Sequence, residues 1–250
     1  MINNLILEFL KLKRDKLFYV MSAIALASPL FVMVLLDKES LGALNWERFL
    51  IESQVPIYFC MLLFMITVGA SFFAKEYQLK TISSISCSGD PRLRIFAAKL
   101  IALPIIFFAL SLLMALINLL LGTAVIGGLP DSRTFQSFLS VTFLTAPVYW
   151  ALVPFVAGFA VLLKRSALTS IIYFGIIIFM FPFSGKSLIV PPILPVHLFI
   201  KIINKQGAPI ISQFYNPNLN VKTSALTLAL FFLIPLVLDF IYVRQENIKG

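Results

Sequence analysis

Glu76 and Tyr77 open a charged stretch, residues 75–99, that separates two long apolar runs. Five of the twenty basic residues fall in it (Lys75, Lys80, Arg92, Arg94 and Lys99), opposed only by Glu76 and Asp90. What such a stretch offers is ion pairing and contact with a soluble partner. Bond-making chemistry has to be sought elsewhere, and the remaining candidates fail in turn. Gly185-Lys186-Ser187 has the ending of a phosphate-binding loop, but the loop needs a glycine five residues before Gly185, where Met180 stands. His197 is the single histidine, so a two-histidine zinc site is impossible. A serine–histidine pair would need a nucleophile motif near His197, and none is there; the residue reads as an interfacial polar group. The chain is expected to be no enzyme and to bind neither metal nor cofactor.

The elements that must position this charged stretch follow from composition. Sixty percent of residues are apolar and 12% charged, about half the charge of an ordinary soluble domain. The charges sit in islands between apolar runs of about twenty residues, the length of a membrane-crossing helix. Six spans are expected, at roughly 17–36, 55–74, 100–122, 138–163, 167–183 and 224–243, in one transmembrane domain over 1–250. The fifth is shortest, about 26 Å at helical rise, and Pro182 ends it. Ala25-Leu26-Ala27 resembles a signal-cleavage site, but the run continues to Leu36 and is too long for a signal peptide. No internal repeat is evident.

Basic residues set the orientation. With the N-terminus inside, thirteen of the twenty fall on the inner segments and seven on the outer ones, so both termini are expected in the cytoplasm. The net charge of +9 does not imply nucleic acid, because the cations flank spans instead of forming one patch beside an aromatic platform. Cys60 lies in an apolar run and Cys87 in the charged stretch, so both read as free thiols.

Residues 2–16 read as an amphipathic helix lying in the inner membrane surface. Ile2, Leu5, Ile6, Phe9 and Leu12 share one face, with Asn4, Glu8, Lys11 and Asp15 towards the other. A single helix over 5–36 would give the same pattern. After span two, the helix is expected to run through Glu76-Tyr77, break at Thr81 and the serines that follow, turn at Gly89-Asp90-Pro91 and restart at Arg92-Leu93-Arg94. The result is a hairpin tip below the membrane, unless the cations only form a snorkelling collar. Outside, 184–223 is rich in proline, including Pro191, Pro192 and Pro195, yet partly apolar. It reads as short re-entrant helices or as a packed outer loop. Asp239, near the inner end of span six, is an intramembrane acid and so a functional hypothesis; Arg244, five residues on, offers it a simple ion pair. Asn118, Ser111, Thr67 and Ser71 are expected to bridge helices by hydrogen bonds.

Several motifs together resemble a known family. Glu8-Phe-Leu-Lys-Leu-Lys-Arg14 precedes span one, Glu76-Tyr77 with Thr81 follows span two, and Pro91-Arg-Leu-Arg94 leads to Lys99. With the prolines after span five, the whole chain resembles a type-2 ABC exporter permease, particularly those of bacitracin-resistance and lantibiotic-immunity transporters. The resemblance implies an all-α polytopic fold: six transmembrane helices, an N-terminal interface helix carrying Glu8, Lys11, Lys13 and Arg14, and re-entrant outer helices between spans five and six. It implies that Glu76, Tyr77, Thr81, Asp90, Pro91, Arg92 and Arg94 serve ATPase coupling. It also implies a soluble ABC ATPase in two copies, which holds the ATP and magnesium, a second permease, identical or homologous, and a peptide-like substrate taken from the bilayer of the bacterial cell membrane. The alternatives are a membrane scaffold or sensor and a secondary transporter.

Overall fold

The computed structural model describes residues 2–35, 45–78, 92–180 and 221–249, all helical apart from short connections and without strands. Seven helices follow in order: α1 (Ile2–Lys13), α2 (Lys16–Leu35), α3 (Trp46–Gln78), α4 (Arg92–Ile126), α5 (Ser132–Leu163), α6 (Ser166–Met180) and α7 (Val221–Lys249). Thr81, Asp90, Pro91, Cys87, the Gly185-Lys186-Ser187 sequence, Pro191, Pro192, Pro195 and His197 lie outside the described residues.

Among the described residues, Phe59–Gln78 and Arg92–Ile126 are long and apolar enough to cross a membrane. Lys16–Leu30, Tyr149–Leu163 and Ser166–Ile176 are shorter apolar helices. α4 has 35 residues and so runs about 52 Å, well beyond a hydrocarbon core of about 30 Å; its first two turns carry Arg92, Arg94 and Lys99.

The chain breaks between α1 and α2 at Arg14-Asp15, where Asp15 Oδ1 accepts the Leu17 backbone N–H at 3.1 Å and caps α2. α3 begins at Trp46, nine residues ahead of the expected span at 55. The extension has a reason: Phe49 and Leu50 pack with Phe138 in a small outer core that Trp46 joins. Gly122 leaves the room, because a Cβ there would collide with the Trp46 ring. α4 ends at Gly127-Gly128, both at φ 78°, a left-handed geometry that glycine adopts without strain.

α3 is the central element and packs against α2, α4, α5 and α6, while α7 packs mainly on α5. The main core gathers Phe64, Met65, Leu103, Phe107, Leu152 and Val156 from the three central helices. Phe107 joins Phe64 at 5.6 Å and Tyr149 at 5.0 Å between ring centroids, crossing from α3 through α4 to α5. Large apolar side chains also cover the outside: Leu113, Leu116 and Leu120 on α4, and Ile234, Val237, Leu238 and Ile241 on α7 are about half exposed. An exterior as apolar as the core is what lipid requires.

The hydrogen-bonding side chains divide. Asn118 Nδ2 donates to Ser53 Oγ at 2.7 Å and links α4 to α3. Thr67 and Ser111 instead donate to carbonyls of their own helices, those of Leu63 and Phe107. The bridge expected of those two is absent because a helix always offers a carbonyl one turn back.

A buried charge cluster as candidate functional site

Three helices end or begin at one level: α1, the last turn of α3 and the second turn of α4. Each brings charge. Lys99, on α4, is 3% exposed. Its Nζ donates to the Phe72 carbonyl at 2.6 Å and to Glu76 Oε2 at 3.1 Å. It also lies 3.8 Å from Glu8 Oε2 and 4.9 Å from the centre of the Phe72 ring. Lys11 closes the other side, with Nζ at 2.6 Å from Glu8 Oε1 and 2.7 Å from Glu76 Oε1. Two acids and two bases from α1, α3 and α4 thus form a closed, neutral ring. Beside it, Lys75 Nζ meets Asp15 Oδ2 at 2.9 Å and fastens α3 to the α1–α2 joint.

Lys99 arrives unprotected by water, and a buried ammonium is tolerated only when paired and hydrogen-bonded. The Phe72 carbonyl, six residues before the end of α3, faces the Glu76 N–H as its helix donor and takes the ammonium on its second lone pair. Burial alone would lower the pKa of the half-exposed Lys11 ammonium. Its hydrogen bonds and charge interactions with Glu76 and Glu8 outweigh that and hold it above the ordinary lysine value.

The sequence puts Leu12 with Ile6 on the apolar face of α1, and Asn4 and Glu8 towards the other; in the structure Asn4, Glu8 and Leu12 form the buried stripe, while Ile6, Leu7 and Leu10 are about half exposed. The buried cation on α4 draws the polar stripe inward, and the leucines face outward to where lipid would be. Lys13 and Arg14, by contrast, are exposed.

The remaining described residues of the expected site are near one another. Tyr77 lies under Lys164 Nζ, 5.5 Å from the ring centre, and Gln78 Nε2 donates to Ser166 Oγ at 3.2 Å. Both contacts tie the end of α3 to the two-residue turn between α5 and α6, which Lys164 makes in a left-handed conformation, φ 54°. Arg92 lines a small cleft with Glu76, Tyr77 and Lys99, about 20 Å³ in volume, enough for about one water. Arg94 is exposed. Sequence reasoning gave Lys99 no part in the site. Its signal was available: a lysine at the edge of an apolar run, with Glu8 and Glu76 at neighbouring helix ends.

The family model of the ABC-2 family transporter protein matches residues 4–184, from α1 through the end of α6. The chain belongs to that family. No curated protein and no solved structure gives a match. An ABC-2 permease is a membrane subunit of an ABC transporter and partners with an ABC ATPase subunit. The charge ring of this permease is therefore a structural joint in a transport subunit. Among the described residues no group of histidine, cysteine, aspartate or glutamate could hold a metal ion.

Proposed function

We propose that this ABC-2 permease works in an exporter that moves an amphipathic antimicrobial peptide, of lantibiotic or bacitracin type, out of the bacterial cell membrane. Two copies of a soluble ATPase hold the ATP and magnesium and drive a pair of permeases, identical or homologous. Both termini are cytoplasmic, six helices span, and the outer segment with Pro191, Pro192 and Pro195 re-enters the outer leaflet. The observation that carries the reading is the ring of Glu8, Lys11, Glu76 and Lys99. It makes α1, the end of α3 and the start of α4 one unit, so a push on the hairpin between α3 and α4 moves all three helices together. An apolar perimeter with very few fixed charges suits an amphipath better than an ion.

The test is purification of the tagged chain in mild detergent, followed by measurement of peptide resistance in cells. A stoichiometric ATPase in the preparation, and loss of bacitracin or lantibiotic resistance when the chain is deleted, are expected. Transport by the chain alone in liposomes without ATP would refute the reading. Glu76→Ala is expected to lower both resistance and substrate-stimulated ATP hydrolysis; if both stay unchanged, the coupling role assigned to Glu76 is wrong.

A further inference from the structure

A second feature lies higher in the bundle, away from the charge ring. α4, α5 and α7 enclose an apolar groove of about 240 Å³, lined by Leu100, Pro104, Trp150, Pro154, Phe232 and Leu236 among others. That exceeds the cavity of about 150 Å³ that holds benzene in a well-studied engineered core. The groove opens outward, since Ile101, Ile105 and Trp150 on its rim are 39%, 46% and 40% exposed. Two of its walls carry prolines, which remove the usual donors to the Leu100 and Trp150 carbonyls. The Trp150 indole N–H donates to the Pro104 carbonyl at 3.2 Å and holds α4 and α5 together at the groove.

One helical turn towards the cytoplasm from Pro154 and Leu236, the same seam holds Asp239. Its side chain lies against Gly158, where a Cβ would collide with it. Asp239 is 6% exposed, and its Oδ2 has no hydrogen-bond partner. Arg244, the simple partner expected from sequence, is exposed and makes no ion pair with it among the described residues. An acid buried without a partner costs stability, and this one stands about 7 Å above the level of Arg244, next to a groove open to the lipid phase.

We propose that the α4–α5–α7 seam is a lateral binding site for an amphipath with an aliphatic or aromatic body and a primary amine head. The body fills the groove, and the amine reaches the Asp239 carboxyl. Acid and amine share one proton, so the pair brings no net charge into the bilayer whichever group carries it. Gly158 gives the Asp239 carboxyl its place at the seam, because a Cβ there would collide with it. The site needs neither ATPase nor second permease, so it stands or falls independently of the export reading.

The chain carries two tryptophans, so Trp46→Phe leaves Trp150 as a reporter on the groove wall. The full chain in nanodiscs of zwitterionic lipid is titrated with an aliphatic primary amine brominated at its far end, and with the matching alcohol and carboxylate. Bromine quenches indole fluorescence on contact. The amine is expected to quench at about tenfold lower concentration than the alcohol, the worth of one charge-assisted hydrogen bond. In Asp239→Asn, which is nearly isosteric, the amine-to-alcohol ratio should fall to about one, a comparison in which partitioning into lipid cancels. Leu236→Phe, which fills the groove, should weaken quenching by both probes. An equal ratio in the parent and in Asp239→Asn, or quenching that Leu236→Phe leaves untouched, overturns the proposal; the latter result would mean that the probes reach Trp150 from bulk lipid.

Discussion

Lys99→Met is the sharpest test of the charge ring. The methionine chain fills nearly the same volume, so packing is preserved and charge alone is removed. The side chain of Lys99 is 4% exposed and that of Glu8 3%, so water cannot take over the lost interactions. Removal takes away the ammonium 3.8 Å from the buried Glu8 Oε2, which has no hydrogen-bond donor to fall back on, deprives Glu76 Oε2 of its partner at 3.1 Å, and turns a neutral ring into one of net charge −1. Breaking a buried pair from one side costs about 3–5 kcal/mol. For a chain of this size each kcal/mol moves the midpoint by about 2–4 °C, so a fall of about 6–20 °C in Tm is expected. The assay is thermal unfolding of the purified chain in one fixed detergent, followed by fluorescence-detected size exclusion. Glu8→Gln made in the Lys99→Met background removes the excess charge and should recover about half of the loss, since residues sharing one network couple strongly. A fall below about 2 °C, or two losses that simply add, would refute the claim that the ring holds α1 to α4.

Three further outcomes are expected. Lys11 has a pKa raised on folding, so its stabilising contribution is complete below the ordinary lysine value and is lost as pH rises through the folded value; the Tm gap between the wild type and Lys11→Met should be constant from neutral to mildly alkaline pH and close in strong alkali. Ser53→Ala strands the Asn118 amide, whose Oδ1 already lacks a partner, and should cost about 1–3 kcal/mol, whereas Ser53→Ala with Asn118→Leu should cost less than the single change, both read by thermal unfolding. Gly158→Ala drives a methyl into Asp239 and should destabilise by about 1–3 kcal/mol, a loss that Asp239→Ala relieves when the two are combined and compared by the same melt.

The helices were legible because lipid imposes a simple pattern: long apolar runs closed by islands of charge mark where each helix sits. Helix ends were harder to place. Trp46–Ser53 looks polar and acidic in sequence, yet it is helical because Phe49 and Leu50 find Phe138 and Trp46 finds the bare surface of Gly122. These are contacts between residues some seventy to ninety positions apart, which periodicity does not register. Glu76 was legible as a site residue through its place in a motif. Lys99 was not, because a lysine at the edge of a span reads as a snorkelling residue until the two acids facing it are seen. Amphipathicity likewise identified two faces of α1, but not that the polar one, with Asn4 and Glu8, is buried.

The geometry of Glu76 narrows where an ATPase would touch this permease. Its two carboxylate oxygens are each taken, Oε1 by Lys11 at 2.7 Å and Oε2 by Lys99 at 3.1 Å. A direct contact with an outside protein would have to break one of these bonds first. Glu76 is therefore committed within the permease, joining the end of α3 to α1 and α4. Lys13, Arg14 and Arg94 are among the exposed cations near the ring. The end of α3 is joined to the rest of the bundle by two sets of polar contacts of different strength. Through Glu8, Glu76 and Lys99 it meets a buried ring, stiff because every charge is matched. Through Tyr77 and Gln78 it reaches the α5–α6 turn by one ring contact and one exposed hydrogen bond, each weak. α3 also packs along α5 and α6, while α7 is tied mainly to α5. A stroke that shifted α4 against α5 and α7 would therefore deform the seam that holds the apolar groove and Asp239.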